Sequence, residues 1–171
     1  GDMLMCALVS GLVSQGVDVD ILGLSSTPAL ASITKDNYDF GVMITASHNP
    51  MQWNALKLLN AKGEFINAEE GNEVLLLAET MDINFSTVDK LGKYITDFTT
   101  IDTHIQKVVN LPLVDVEAIK KASFKVAVDA VDSTGGIAIP RLLRALGVED
   151  VVEINCDPTG KFSHNPEQSM E

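Results

Sequence analysis

An apolar run that ends abruptly in polar residues is the feature that most constrains how this chain folds. Residues 39–45 have the length and β-branched content of a buried strand, since the run is too short for a helix and turn-forming residues flank it. Pro50 follows, and it disfavours α conformation in the residue before it, so the polar residues between are expected to form a tight loop. In an open α/β sheet, ligands bind at such carboxyl ends of strands.

That loop holds a serine on the rim of the predicted strand. Ser47 is followed by the imidazole of His48 and the carboxamide of Asn49. A hydroxyl fixed in this way can take part in group transfer, because its position is set and neighbouring donors can stabilise the transferred charge. The alternative is that Ser47 and Asn49 only hydrogen-bond the backbone to close a turn. Local chemistry leaves both alternatives open.

A longer motif around this serine resembles a known family. Residues 45–50 are Thr-Ala-Ser-His-Asn-Pro, and residues 53–57 are Trp-Asn-Ala-Leu-Lys. Together they resemble the phosphoserine loop of the α-D-phosphohexomutases, which comprise phosphoglucomutases, phosphomannomutases and phosphoglucosamine mutases. The resemblance implies an isomerase that interconverts hexose 1-phosphate and hexose 6-phosphate. A phosphoryl group on Ser47 would pass to a hexose monophosphate, and the resulting bisphosphate would reorient and return its other phosphate to the serine.

The same resemblance implies roles for the neighbouring residues. Ser47, His48 and Lys57 would be catalytic, whereas Asn49 and Asn54 would bind phosphate or substrate oxygens. The phosphate on Ser47 would also complete the shell of a Mg²⁺ cofactor. Without the resemblance, a lone lysine on a strand is usually a solvated edge residue.

One position in this motif differs from the family. Ala55 stands where the family commonly has glycine. This change could alter the backbone near Lys57.

Taken in chain order, the sequence predicts alternating helices and strands. Apolar residues at helical spacing predict a first helix over residues 1–16, with Asp2 as N-cap and Gly16 as stop. The further predicted elements are a strand over 17–22, a helix from Thr27, a strand over 53–59, a helix opened by a capping box at 67–70, a helix with the stripe Phe98, Ile101, Ile105 and Val108, a helix over 114–121, a strand over 124–129, a helix carrying Leu142, Leu143 and Leu146, and a strand over 151–155.

After Pro112 the pattern starts again. Residues 12–17 and 143–148 both predict a helix, a glycine and a strand, so one helix–glycine–strand motif occurs twice. We therefore predict an α/β fold, a sheet flanked by helices, in two related domains. Residues 1–113 would form the first phosphohexomutase domain, truncated at its N-terminus and carrying the serine loop. Residues 114–171 would begin the second.

Composition narrows the class of partners. The chain has 171 residues, 46% of them apolar, enough for one full core or for one core and part of a second. A net charge of −12, with no long basic run, disfavours nucleic acid and anionic membranes as partners. The family resemblance implies a hexose phosphate as the substrate. No apolar stretch is long enough to span a bilayer. Cys6 and Cys156 match no metal spacing, so we expect reduced thiols and a cytoplasmic protein.

Three further motifs carry weaker signals. Residues 133–136 form a glycine-rich loop between a strand and a helix, but the loop lacks the spacing of either phosphate-binding motif and is better explained as a turn. His104 lies near an apolar stripe and is expected to pack rather than to bind a ligand. Residues 163–166 repeat Ser-His-Asn-Pro, and with Glu167 they resemble a segment of the family's second domain, so Ser163 is assigned to a loop and the chemistry to Ser47.

Two other function classes compete with the mutase hypothesis. One is a serine hydrolase that uses Ser47 with His48 or His164. It is disfavoured because adjacent side chains at a strand end rarely point together, and because no G-x-S-x-G elbow occurs. The other is a non-catalytic module that binds sugar phosphates or serves in assembly. The identity of the hexose and the oligomeric state stay open at this stage.

We expect the 171-residue chain alone to have no mutase activity. The family has an arginine-bearing segment before this first helix, an Asp-x-Asp-x-Asp magnesium loop, a sugar-selecting loop and a phosphate-binding loop, and the chain resembles a fragment that contains none of them. A coupled assay with hexose 1-phosphates and Mg²⁺ checks this expectation. Turnover above the buffer background would contradict it.

Overall fold

The computed structural model describes residues 1–50, 52–81 and 83–166. Helices and strands are interspersed along these residues, which confirms the α/β prediction. The elements are α1 (Asp2–Ser14), β1 (Val19–Ile21), α2 (Thr27–Asn37), β2 (Gly41–Thr45), β3 (Ala55–Leu59), α3 (Ala68–Thr80), a 3₁₀ turn (Val88–Lys90), β4 (Tyr94–Thr96), α4 (Thr100–Val109), α5 (Val116–Ala122), β5 (Lys125–Asp129), α6 (Gly135–Ala145) and β6 (Asp150–Ile154).

The described strands form three two-stranded sheets. β1 pairs with β4 in parallel, β2 with β3 in antiparallel, and β5 with β6 in parallel. The chain also divides into two compact units, which are described separately. Unit 1 comprises Gly1–Gly23, Leu30–Thr45 and Ala55–Phe98, and unit 2 comprises Leu24–Ala29, Ala46–Asn54 and Thr99–Glu171.

A helix that turns into a strand at a glycine occurs in each unit, as the repeated pattern predicted. Gly16 follows α1 with φ +84°, and its amide donates to the carbonyl of Val13 at 3.0 Å. Gly147 follows α6 with φ +86°, and its amide donates to the carbonyl of Arg144 at 2.9 Å. This left-handed conformation costs glycine no steric strain, and the donated bond satisfies a carbonyl at the helix end.

The helix starts were predicted with mixed success. Asn67 caps α3 as predicted, because its side chain accepts from the amide of Glu70 at 2.9 Å while the Glu70 carboxylate accepts from the amide of Asn67 at 2.8 Å. Asp2 is not the N-cap of α1, since Gly1 occupies that position and Asp2 is the first helical residue. There its carboxylate favours the positive end of the helix dipole without accepting a capping hydrogen bond.

In unit 1, α2 packs closely on the start of β2. A Cβ on Gly41 would lie 2.5 Å from the Thr34 hydroxyl oxygen, so only glycine permits this approach. Leu59, paired with Gly41, is 2% exposed. The prediction that β2 is buried holds for Gly41 alone, and the other four residues are half-buried. Within the described residues β2 pairs only with β3, which leaves its second edge without a strand.

In unit 2, α6 begins against the end of β6. A Cβ on Gly136 would lie 2.1 Å from the carbonyl oxygen of Cys156, so this glycine allows the helix to meet the backbone. Residues 133–136 form the turn expected from the sequence, with the amide of Gly136 donating to the carbonyl of Ser133 at 3.0 Å. Both cysteines are free thiols, as predicted.

The predicted apolar stripe of α4 is correct only in its interior. Ile101 and Ile105 are buried, at 5% exposed each. Phe98 precedes the helix and is 72% exposed, so its place in the stripe was wrong. Among the described residues, no helix combines the length and the apolar character needed to cross a membrane.

A hydrogen bond joins the region after α2 to β1 in unit 1. The Tyr38 hydroxyl donates to the Asp20 carboxylate at 2.6 Å. Burial, together with the bond to Asp20 and the charge of Asp97, raises the pKa of Tyr38 to about 12. A raised phenol pKa means that the folded state holds the proton more tightly than the unfolded state does, so this stabilisation is complete below pH 10 and disappears as the pH rises through about 12.

Tyr38→Phe should therefore lower the free energy of unfolding by about 1–2 kcal/mol, because it removes a hydrogen bond to a charged group. Tyr94→Phe is the matched control, since that side chain is 63% exposed. Urea denaturation at pH 7 and at pH 11.5 measures both changes. Equal effects of the two substitutions at pH 7, or an undiminished Tyr38→Phe effect at pH 11.5, would contradict the assignment.

Candidate functional site

The candidate serine lies in the connection between β2 and β3. The two strands are paired in register from Gly41 with Leu59 to Thr45 with Ala55. The loop that joins the two strands therefore begins and ends at residues that are paired with each other. This arrangement agrees with the predicted order of strand, polar loop and strand.

Ser47 has an unusual backbone conformation for a residue with a side chain. Its φ is +57°, in the left-handed region that favours glycine. The side chain is exposed, as are those of His48 and Asn49. Non-glycine residues in this conformation are strained and cluster at functional sites, where the surrounding structure holds them in place. The strain supports the group-transfer hypothesis for Ser47.

The imidazole of His48 lies beside the Ser47 hydroxyl. Ser47 Oγ and His48 Nδ1 are 3.4 Å apart, a long contact whose donor depends on the histidine tautomer. The expectation that adjacent side chains at this position would not point together was therefore wrong. The left-handed turn at Ser47 differs from an extended strand end, where successive side chains alternate between faces. At this distance His48 is placed to exchange a proton with the serine hydroxyl once the contact shortens.

Asn49 has a clear structural role. Its backbone amide and its side-chain Nδ2 each donate to the carbonyl of Ala46 at 3.0 Å. This doubly bonded turn surrounds Ser47 and His48, so the backbone alternative applies to Asn49. Asn54 lies at the other end of the loop with an exposed side chain. The structure thus gathers Ser47, His48 and Asn49 into one turn, whereas Asn54 lies outside it.

Lys57 belongs to unit 1, in the middle of β3. It is paired with Met43 and is half-buried. Its ammonium nitrogen lies 5.8 Å from the centroid of the Phe65 ring, within the range of a cation–π interaction. This interaction is compatible both with a packing role and with a lysine held for phosphate. The catalytic assignment of Lys57 stays a prediction.

The described residues alone do not fit a magnesium site. They contain no cluster of three or more His, Cys, Asp or Glu side chains that could hold a metal ion. Hard oxygen ligands, mostly carboxylates and phosphates, are what Mg²⁺ requires. The serine turn supplies one hydroxyl, which cannot hold the ion by itself, so the Mg²⁺ expectation stays a prediction.

Unit 2 also contains an apolar cavity of about 200 Å³ that the sequence did not reveal. It lies among α4, α6 and the first turn of α2, with His104, Ile105 and Leu142 in its wall. Burial, assisted by the charge of Lys107, lowers the pKa of His104, and His104 Nδ1 has no hydrogen-bond partner. His104 is thus a packing residue, as expected. The residues of the Ser47 turn do not line this cavity.

The backbone of Ser47 generates a stability prediction. Ser47→Gly and Ser47→Ala both remove the hydroxyl, but glycine adopts a positive φ without the cost of about 1–2 kcal/mol that a Cβ imposes. We expect the glycine variant to be the more stable by about 1 kcal/mol in urea denaturation. The same pair at Ser163, whose φ is not positive, is the control and should favour alanine or show no difference. A Ser47→Ala variant as stable as Ser47→Gly would show that the position is unstrained.

Comparison with known families matches nearly the whole chain. Residues 1–94 match the model of phosphoglucomutase/phosphomannomutase alpha/beta/alpha domain I, and residues 102–171 match that of domain II. Two related domains were predicted, and the second match begins before the predicted start at residue 114. The exact boundary stays a prediction.

Individual relatives agree with the family models. The chain is 39% identical to a phosphoglucomutase/phosphomannomutase of Thermococcus kodakarensis, over 100% of this chain and 37% of the relative. It is 36% identical to a probable phosphoglucosamine mutase of Methanococcoides burtonii, over 98% of this chain and 37% of the relative. A phosphoglucosamine/phosphogalactosamine mutase of Sulfurisphaera tokodaii is 39% identical over 92% of this chain and 35% of its own length. The chain thus spans little more than a third of these relatives.

A solved structure has the same fold. The crystal structure of a phosphoglucomutase/phosphomannomutase family protein from Burkholderia thailandensis superposes with a TM-score of 0.72 at 25% identity, over 96% of this chain and 35% of that one. Sequence, family models and fold all agree with the resemblance carried by the serine loop. The chain belongs to the phosphoglucomutase/phosphomannomutase family.

Proposed function

We propose that this chain is the phosphoserine-bearing part of a phosphohexomutase that interconverts hexose 1-phosphate and hexose 6-phosphate. The observation that carries the proposal is the exposed, strained Ser47 beside His48, at the end of β2 in a chain of this family. A serine held in this way is a positioned group for phosphoryl transfer, a reaction in which catalysis is mostly positioning and charge stabilisation. Relatives that match this chain are named phosphoglucosamine mutase and phosphoglucomutase/phosphomannomutase.

The proposed reaction balances without an external donor. A free hydroxyl of the hexose monophosphate attacks the phosphorus on Ser47, so the bond from phosphorus to Ser47 Oγ breaks and a bond to the sugar oxygen forms. The departing Ser47 oxygen takes up a proton, and the sugar hydroxyl loses one. The bisphosphate then reorients, and its other phosphate returns to Ser47 with the proton transfers reversed.

His48 is the proposed proton carrier for the serine oxygen. Its Nδ1 is the ring nitrogen that faces Ser47 Oγ, at 3.4 Å. The imidazolium would donate to Ser47 Oγ as the phosphoryl group leaves, and the neutral ring would accept the same proton when the phosphate returns. Asn49 would act by holding the turn through its two bonds to Ala46.

Lys57 and Asn54 complete the proposal for this chain. A sugar phosphate is an anion, and the chain has a net charge of −12, so local positive charge is needed where the phosphate binds. Lys57 would supply that charge or a proton, and Asn54 would bind a phosphate or sugar oxygen. We also propose Mg²⁺ as a cofactor, for which a phosphate on Ser47 would be the ligand that this turn contributes, and the ion would supply positive charge there.

The first test is phosphosite mapping by mass spectrometry on the full-length protein purified from its native cell. Phosphate on Ser47 is the expected result. Ser47→Ala should lower turnover of hexose phosphates by at least about 10³-fold, since no nucleophile remains to carry the phosphoryl group. Ser163→Ala is the matched control, because it removes the serine of the second Ser-His-Asn-Pro copy, and it should retain full turnover.

Other outcomes would point to other functions. Phosphate found only on Ser163 would mean that the serine of the second Ser-His-Asn-Pro copy carries the phosphoryl group. Sugar-phosphate binding that persists in Ser47→Ala, with turnover absent from the unmodified protein too, would favour a binding module. Labelling of Ser47 by a fluorophosphonate probe would support a serine hydrolase. A panel of glucose, mannose, glucosamine and galactosamine phosphates would then identify the substrate, since the names of the relatives include several of these sugars.

A further inference from the structure

The second copy of Ser-His-Asn-Pro, residues 163–166, has an environment unlike that of the serine loop. His164 Nε2 lies 3.0 Å from an Asp129 carboxylate oxygen. His164 Nδ1 lies 3.0 Å from the backbone carbonyl oxygen of Asn165. The ring therefore lies between two oxygen atoms, whereas the ring of His48 faces a serine hydroxyl.

Both partners of His164 are acceptors, and this determines its protonation state. A carbonyl oxygen and an ionised carboxylate have no proton to give. A neutral imidazole donates from one nitrogen only, so either tautomer would direct a lone pair at one of the two oxygens. The imidazolium donates from both nitrogens and satisfies both contacts. The geometry thus selects the charged form of His164.

Asp129 is itself held firmly at the edge of a sheet. It is the last residue of β5, and its carboxylate accepts from the amide of Val131 at 3.0 Å and from the side chain of Asn155 at 3.2 Å. Asn155 directly follows β6, so the carboxylate joins the carboxyl ends of both parallel strands. These bonds, that from Val131 foremost, keep the pKa of Asp129 below its ordinary value. The carboxylate is therefore ionised throughout the range in which histidine titrates.

The segment that carries His164 has two further attachments to the same edge. We call residues 157–166 the strap. The amide of Gly160 donates to the backbone carbonyl of Asp132 at 2.9 Å, and the amide of Ser163 donates to the Asp132 carboxylate at 3.0 Å. Val131 and Asp132 both have φ +53°, a strained conformation in the loop that receives the strap. Strained loops persist when the structure around them holds them, and the strap makes such contacts here.

We propose that His164 is a proton-operated clasp that closes the strap over the carboxyl edge of β5 and β6 when the ring is an imidazolium and releases it when the ring loses a proton. Loss of the proton converts an ion pair into a contact between a neutral ring and a carboxylate, and it leaves one of the two oxygens facing a lone pair. The remaining attachments, at Gly160 and Ser163, are backbone amides that do not titrate. Of the three contacts described, that of His164 is thus the one whose donor can lose its proton.

The two carboxylates that face His164 favour the closed state at neutral and mildly acidic pH. Asp129 faces the ring from β5 and Asp132 from the following loop, and the charged residues of the strap itself are Asp157 and Lys161. The bond to the Asn165 carbonyl, with those to Asp129, raises the pKa of His164 above its ordinary value. A raised histidine pKa stabilises the closed state fully below about 6.5, and this stabilisation is lost as the pH rises through the higher, folded value.

Hydrogen exchange in the full-length protein tests the clasp directly. The amides of Gly160 and Ser163 are the reporters, because both are hydrogen-bonded only to the receiving loop. After correction for intrinsic exchange, their protection should fall about three- to tenfold between pH 6 and pH 8.5, the range expected for loss of one exposed hydrogen bond. In His164→Gln, the protection of both amides should already be as low at pH 6 as it is at pH 8.5. Asp129→Asn should do the same and should also lower the titration midpoint of the His164 ring protons measured by NMR.

His104→Gln is the matched control, since that histidine lies in the wall of the apolar cavity, whose lining includes no residue of the strap. It should leave the pH dependence of both amides unchanged. Equal protection at pH 6 and pH 8.5 in the unmodified protein would overturn the proposal, and this result does not depend on any variant folding. A His164→Gln variant with the same amide protection and the same pH dependence as the unmodified protein would also overturn it. The proposal is independent of phosphate on Ser47, so its failure would not affect the proposed function.

Discussion

The pairing of β2 with β3 is the constraint on which the candidate site depends. Five registered pairs, closing with Thr45 opposite Ala55, hold both ends of the serine loop at neighbouring positions. With its ends held, the loop can keep Ser47 in a conformation that an unrestrained serine would leave. The close approach of Thr34 to Gly41 anchors the other end of the same pair. The hairpin and the close approach at Gly41 therefore determine where the chain leaves β2 and where it enters β3.

What could be predicted from sequence was local. The capping box at Asn67 and the glycine corners at Gly16 and Gly147 are formed by residues within one turn of each other, so the local sequence is enough to predict them. The order of strand, serine loop and strand was predictable for the same reason. The contact between Ser47 and His48 could not be predicted, because it depends on a backbone angle that the local sequence does not specify. Nor could the contact between His164 and Asp129, which joins residues 35 positions apart.

The two copies of Ser-His-Asn-Pro show how little a four-letter match decides. In the first copy the histidine faces a hydroxyl, in a turn that the asparagine closes. In the second copy the histidine faces a carboxylate, and the serine contributes its backbone amide to the contact with the edge of a sheet. Identical side chains thus have different partners in the two places. The difference comes from what lies opposite each histidine, and this is a property of the fold.

The repeated glycine corner has a consequence for how the chain folds. Its hydrogen bonds at Gly16 and Gly147 join residues only three positions apart, so each corner closes with little loss of chain entropy. The pairing of β1 with β4 joins Val19 to Tyr94 and must wait for a much longer loop to close. Structure should therefore nucleate independently at two sites along the chain, one in each unit, before the parallel strands meet. A protein built in this way can form its first stable segment during synthesis, long before its last residues have left the ribosome.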